Sequence, residues 1–260
     1  MPYLWLGDKE SDGLVNALNP GDLQPRQIGL FLDVDGTLLD LAPRPEAVEV
    51  PTDLPDTLAA AERRLDGALA LISGRPIEQL DRLFAPLRLP ASGTHGAEIR
   101  QSADAPRTLL TEARLPDGAW RDLLRLLKRF PGTFAENKDV GFAVHHRLAG
   151  PGKADLVAAL RGFVEALGPR ELELCAGYRV LEISPAGVDK GTAIERFMAH
   201  EPFAGRCPVF VADDLMDRAG FDMALALGGF AFSVGAEVPG LSGWFPRPEA
   251  VRAWVGQLAR

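Results

Sequence analysis

The chain has 260 residues, 47% hydrophobic and 25% charged, the balance of a globular protein with enough length for one or two cored domains. Its net charge of −8 argues against a general nucleic-acid or anionic-membrane surface, so positive charge for an anionic ligand has to be placed deliberately. The two cysteines, Cys175 and Cys207, show neither metal-type spacing nor a disulfide framework, which fits a reducing cytosol.

The opening "MPYLWLGDKESDG" lacks the basic start and apolar stretch of a secretory leader. No apolar run approaches the roughly 20 residues that span a bilayer. The expected protein is cytoplasmic and monomeric, with a small-molecule partner and neither nucleic acid nor membrane. Residues 1–27 carry no clear period and read as an N-terminal extension without assigned function.

From Ile28 a pattern emerges. "IGLFLDV" predicts a buried strand, "LPDTLAAAERRL" a helix, "GALALISG" a strand and "RPIEQLDRLFAPL" a helix with Ile77, Leu80 and Phe84 at helical spacing. "LPASGTHGAEIR" reads as one further strand-like piece with a glycine-rich exit. Alternating strands and helices predict a parallel sheet covered on both faces.

The rhythm then changes. Trp120, Leu123, Leu124 and Leu127 form one helical stripe, and Leu156, Leu160, Phe163, Val164 and Leu167 form another. "GFAVHHR" alternates as a strand, and "LELCAGYRVLEISP" reads as two strands around a Gly turn. These predict an inserted α+β unit over 108–183. After Pro185 the first rhythm returns with "KGTAIERFMAH", "PVFVADD", "DRAGFDMALAL", "FAFSVG" and "PEAVRAWVGQLA". The predicted architecture is an α/β, Rossmann-like core over 28–107 and 184–260, interrupted by the α+β unit.

Polar clusters sit just past predicted strand ends, where open parallel sheets bind ligands. These are Asp33 and Asp35 in "DVDGT", Ser73 in "LISGR", and Asp213 and Asp214 in "VADD", while Lys190 opens a helix. Taken singly, each has a bland explanation: an Asp pair can cap or turn, Ser-Gly is a common turn, and a lone Lys is usually solvated. Their joint occurrence in this order points to one site. Asp33, Asp35 and Asp213 can share a hard cation such as Mg²⁺. Asp33 can then act as a carboxylate nucleophile on phosphorus, Asp35 as acid and base, and Ser73 and Lys190 as holders of phosphoryl oxygens. Gly36 permits a sharp turn, and Thr37 offers a hydroxyl and a backbone N–H.

"DVDGTL", "SGR", "DKG" and "ADD" with a following Asp resemble the four ordered motifs of the haloacid-dehalogenase-like phosphatases. With "RPEAVEVP", "SGTHGAEI", "AENKDVGFAVHHR" and "LEISPAGVDKG", the chain from about Leu30 onward resembles the trehalose-6-phosphate phosphatase family in particular. That resemblance implies a cap domain inserted after the third core strand and Mg²⁺-dependent hydrolysis of trehalose 6-phosphate. It implies Asp33 as nucleophile, Asp35 as acid/base, Ser73 and Lys190 on phosphate, and a metal held by Asp33, the Asp35 carbonyl and Asp213. Asp214 and Asp217 would orient metal-bound water and Lys190, and Arg75 would support the phosphate pocket. Sugar contacts would come from His95, Gly96, Glu136, Lys138 and Glu182, while His145 and Arg147 read as a structural pair on the cap face.

The fourth motif departs from the family's usual Gly-Asp-Asp and Thr-Asp-Glu: Ala212 replaces a glycine, Met216 a threonine and Arg218 a glutamate. Alternatives on the same scaffold are a phosphatase for sucrose phosphate or a mannosyl phosphate ester, or a non-catalytic phosphosugar sensor. Closure of the cap would hinge near Arg100–Thr108 and Ile183–Val188.

Overall fold

A run of five residues without a polar side chain belongs inside a sheet, and Ile28–Leu32 is buried along its whole length in this computed structural model. The structure describes residues 27–42, 44–113, 115–138, 140–146, 153–168, 172–177 and 180–260. Residues 1–26 and Arg147 therefore lie outside the described part, and with them the reading of the extension and one member of the His–Arg pair.

In chain order the first part contains β1 (Ile28–Leu32), α1 (Leu54–Arg64), β2 (Leu69–Ile72), α2 (Ile77–Leu83), β3 (Ala91–Gly93), β4 (Glu98–Arg100) and β5 (Thr108–Leu109). Next come α3 (Ala119–Leu127), β6 (Phe134–Asn137), β7 (Phe142–His145), α4 (Lys153–Leu167), β8 (Leu172–Gly177) and β9 (Val180–Pro185). The last part is α5 (Lys190–Met198), β10 (Cys207–Ala212), α6 (Arg218–Ala226), β11 (Phe230–Val234), β12 (Gly243–Phe245) and α7 (Pro248–Leu258).

Eight strands form one sheet in the order β12-β11-β10-β1-β2-β3-β4-β5, parallel from β12 to β3. The chain builds outward from β1 through β2 and β3, then returns to add β10, β11 and β12 on the other side. β1 is therefore the strand at which the winding reverses. Helices cover both faces, and Phe31 of β1 stacks on Phe203 with ring centroids 5.2 Å apart. The expected α/β core with an inserted α+β cap is the fold observed.

The cap sheet is antiparallel, ordered β6-β7-β9-β8. Leu123 and Leu127 of α3 and Leu156, Leu160 and Val164 of α4 pack on Phe142, Val144, Leu181 and Ile183 to make a separate hydrophobic cluster. Period-2 alternation sends the intervening residues, Val180 and Glu182 on β9 and His145 on β7, to the opposite face, where they line a cleft toward the large sheet.

Two details differ from the sequence reading. "LPASGTHGAEIR" is two antiparallel strands, β3 and β4, joined by a tight turn in which Thr94 and His95 have φ of 48° and 55°. A β-branched residue in the left-handed region is a rare conformation that composition does not reveal. In addition, β5 pairs with β4 in the large sheet, and β9 continues in the small one to Pro185.

Candidate active site

Parallel pairing of β1 with β10 places Leu32 beside Val211, and Asp33 N–H donates to Val211 O at 2.9 Å. Asp33 and Asp213 thus leave neighbouring strands at the same sheet edge, where the winding reverses. That is the position at which open α/β sheets hold ligands.

Three carboxylates converge there. Oxygens of Asp33, Asp213 and Asp217 all lie within 4.8 Å of one another. Gly36 makes the approach possible: its φ is +81°, and a Cβ on it would fall 2.0 Å from Asp213 Oδ2. Thr37 is fully buried and donates through Oγ1 to Asp33 Oδ2 at 3.1 Å.

Lys190 is the cation set among these acids. Its Nζ stands 2.7 Å from Asp33 Oδ1 and 2.5 Å from Asp217 Oδ1. Its backbone position is fixed by a capping box: Asp189 accepts from Thr192 N–H at 2.8 Å, and Thr192 Oγ1 accepts from Asp189 N–H at 2.9 Å. Such a cap stabilises a helix start by about 1 kcal/mol and here sets Lys190 on the first turn of α5. Burial opposes the ammonium's charge, but Asp217 and Asp33 outweigh it and raise its pKa.

One lysine does not balance three acids. Burial, reinforced by the charges of Asp33 and Asp217, pushes Asp213 up to about 9. Asp217 is raised in the same sense, by burial and by the Asp33 charge, to about 7. Carboxylates gathered with too little positive charge are the ligand type that hard divalent cations take.

Asp35 occupies a different place. Its carboxylate accepts a fork from Arg75, Nε to Oδ2 at 2.6 Å and Nη2 to Oδ1 at 2.7 Å, and Arg75 also donates to Pro45 O at 3.0 Å. The shared set of carboxylates is therefore Asp33, Asp213 and Asp217. The guanidinium draws the Asp35 carboxylate aside, which leaves its backbone carbonyl as the group that the family resemblance assigns to the metal. Ser73 follows β2 beside β1, is buried, and accepts from Arg75 N–H at 3.1 Å. Asp214 shapes the following turn: its Oδ1 accepts from Met216 N–H at 3.0 Å.

The small sheet faces this edge. Lys138 Nζ donates to Glu182 Oε1 and to Gly74 O, both at 2.9 Å, so it ties the two sheets together. His95 Nε2 lies 3.4 Å from the same Glu182 oxygen. Glu182 is buried, a condition that would raise its pKa. Lys138 first and His95 second overcome that and lower it to about 2. Glu136 lies 2.8 Å from His145 Nε2, and the imidazole stacks on Phe134 with centroids 4.3 Å apart. The His145 contact likewise holds Glu136 below its usual value against burial.

The trehalose-phosphatase family matches residues 31–239 of the chain. A trehalose-6-phosphate phosphatase of Escherichia coli K12 is 40% identical over 209 residues, 79% of this chain and 76% of the relative. A probable trehalose-phosphate phosphatase of Sinorhizobium fredii is 37% identical over 232 residues, covering 88% and 87% of the two chains. The chain belongs to the trehalose-phosphatase family. Its fold is shared with the C-terminal domain of a Candida albicans trehalose-6-phosphate phosphatase, at a TM-score of 0.77 and 21% identity, covering 93% and 94% of the two chains. As a member of the trehalose-phosphatases it is a phosphoric monoester hydrolase.

In this trehalose-phosphatase the cleft brings together Asp33, Asp35, Ser73, Arg75, His95, Glu136, Lys138, Glu182, Lys190, Asp213, Asp214 and Asp217. Two expected contacts stand back from it. Thr37 is enclosed behind Asp33, and Gly96 packs where a Cβ would strike Asp189 O at 2.1 Å. The sequence reading did not single out Leu41, Pro45, Gln79, Val180 and Met216 as lining residues. Val180 was within reach of alternation, being two residues before Glu182. The others sit on loops and helix starts, where no period operates.

Proposed function

We propose that the chain hydrolyses trehalose 6-phosphate to trehalose and inorganic phosphate with Mg²⁺ as cofactor. The observation that carries this reading is the meeting of two chemistries in one cleft. An acid cluster with one lysine lies at the large-sheet edge, and Glu136, Lys138 and Glu182 reach toward it from the small sheet.

Asp33, Asp213 and the Asp35 backbone carbonyl would hold the cation, with Asp217 close by. When bound, it neutralises the surplus negative charge and withdraws electron density from a phosphoryl oxygen. Asp33 attacks phosphorus and the P–O bond to the sugar breaks, leaving an aspartyl-phosphate. Asp35 protonates the departing sugar oxygen, then takes a proton from the water that attacks the same phosphorus and frees phosphate. To do so Asp35 exchanges its bonds to Arg75 for the reacting oxygens, so Arg75 limits where it reaches. Lys190 and Ser73 hold the transferring oxygens. Asp214 and Asp217 orient water and Lys190.

Residues 28–107 and 184–260 would act as the catalytic core and 108–183 as the cap, with Leu109 paired in the large sheet and Pro185 in the small one at the two crossings. Arg100 is anchored by a fork to Asp81, both bonds at 2.7 Å, and by Leu89 O. The first hinge therefore belongs after it. Glu136, Lys138, Glu182 and His95 would exchange their mutual contacts for sugar hydroxyls, with carboxylates accepting from vicinal diols. No described helix is long and apolar enough to cross a membrane.

The test is phosphate release by purified protein with Mg²⁺ from trehalose 6-phosphate, sucrose phosphate, a mannosyl phosphate ester and glucose 6-phosphate. Trehalose 6-phosphate is expected to be turned over fastest by a wide margin. Equal rates would remove the narrow substrate and leave a broad sugar phosphatase. No turnover of any of them would favour a phosphosugar sensor.

A further inference from the structure

Met216 lies in the short turn between the acids Asp213 and Asp217. Its backbone is tied down, since Met216 N–H donates to Asp214 Oδ1 at 3.0 Å. Its side chain reaches across to the small sheet. A Cβ placed on Gly177, the last residue of β8, would fall 2.4 Å from Met216 Sδ and 3.4 Å from its Cγ. The same Cβ would stand 3.0 Å from Val180 Cγ1, on the residue paired with Gly177 across β8 and β9.

The reason for glycine here is space. Gly177 is not among the residues with positive φ, so its backbone admits any L residue. What it lacks is room, and the thioether fills that room. Methionine suits such a seat because its unbranched chain and polarizable sulfur fill irregular gaps. Met216 and Val180 both line the cleft that Glu136, Lys138 and Glu182 also line, with Val180 on the same sheet face as Glu182.

We propose that Met216 is a positioning and specificity-determining residue. Its thioether, seated on the bare face of Gly177, docks the small sheet onto the acidic turn, and with Val180 it forms an apolar wall for the C–H face of a sugar ring. Closure of the small sheet then presses on the turn that carries Asp213 and Asp217. The sugar-ring part rests on the sugar-phosphate reading of the cleft; the docking part does not.

Gly177→Ala puts a methyl where the sulfur stands and displaces it toward the substrate. We expect KM for trehalose 6-phosphate to rise about tenfold in the Met216 background and less than about twofold in a Met216→Ala background, with kcat within about threefold throughout. Equal KM changes in both backgrounds would overturn the proposal. If Gly177→Ala alone does not fold, the Gly177→Ala/Met216→Ala protein must, judged by circular dichroism and melting; failure of both assigns the glycine to the hairpin itself and sinks the idea.

A second arm needs no substrate. Gly177→Cys/Met216→Cys, built on Cys175→Ser and Cys207→Ser, is treated with copper–phenanthroline in air, so that two thiols become one disulfide and oxygen takes the electrons. Loss of both free thiols in monomeric protein, with a reducible gel shift, is expected. Retention of both thiols would overturn the docking contact. Should the natural chain turn over no sugar phosphate, the substrate reading fails while this arm still decides the contact.

Discussion

Two buried lysines face the cleft from its two sides, and they sit in opposite charge balances. Lys190, 5% exposed, stands among Asp33, Asp213 and Asp217, so its neighbourhood keeps a negative surplus. Lys138, 9% exposed, meets one carboxylate, Glu182, and one carbonyl, Gly74 O, and is balanced. A surplus that persists in a buried place calls for a further cation; a balanced pair within the small sheet, tied through Lys138 to Gly74 O on the large-sheet side, calls for no further ion. On our proposal the large-sheet side carries the phosphoryl transfer. The small-sheet side, on the same proposal, serves recognition and closure.

The largest expected effect comes from removing the proposed nucleophile, Asp33, on the first side. Asp33→Asn keeps the shape and should reduce phosphate release from trehalose 6-phosphate by at least about a thousandfold, since groups acting as one unit fail together. Dialysis against a chelator should silence the unmodified protein equally, with recovery on adding Mg²⁺. Full activity after chelation would show that the surplus charge needs no metal.

On the second side, Lys138→Met leaves Glu182 buried beside His95 without its main partner. Truncating one member of a buried charge pair costs about 2–5 kcal/mol, so kcat/KM for trehalose 6-phosphate should fall about 30-fold or more. Turnover of p-nitrophenyl phosphate, which has no sugar to recognise, should fall much less. Equal losses on both substrates would erase the division of labour.

How much of this was legible beforehand depends on how local each cause is. β1, β2 and β10 announce themselves as unbroken apolar runs, and α3 and α4 as stripes at helical spacing. Asp33, Lys190 and Asp213 were legible because they follow predicted element ends in a fixed order. The pairing of Asp217 with Lys190 came only through the family resemblance, and its approach to Asp33 was not legible, because it depends on a short turn that folds Asp217 back. Nor was the fork from Arg75 to Asp35, 40 positions apart, which follows from β2 lying beside β1. The left-handed Thr94 and His95 are imposed by packing and have no signature in composition.

Arg75 tests that illegible link with an intermediate effect. Arg75→Lys keeps the charge but loses the planar fork, so Asp35 is held at one point instead of two. We expect kcat to drop about tenfold, within the usual range for a misplaced general acid, with little change in KM. An unchanged kcat would remove Arg75 from the positioning of Asp35.

The smallest effect is a pH dependence on the closure side. Glu182 is held near 2 in the folded protein, below its ordinary value of 4.5, because Lys138 and His95 favour its charged form. Its folded pKa is depressed, so the stability it contributes is present in full above its unfolded pKa and is lost as pH falls toward the folded one. The stability difference between the unmodified protein and Glu182→Gln should therefore hardly move from pH 7 to pH 5 and should shrink by about 2 kcal/mol at pH 3. Denaturant titrations of the two proteins at matched pH measure this directly, and the subtraction removes the other acids they share. A difference that instead grew on acidification would mean that Lys138 and His95 do not stabilise the Glu182 charge, and the balanced side of the cleft would lose its distinction from the acidic one.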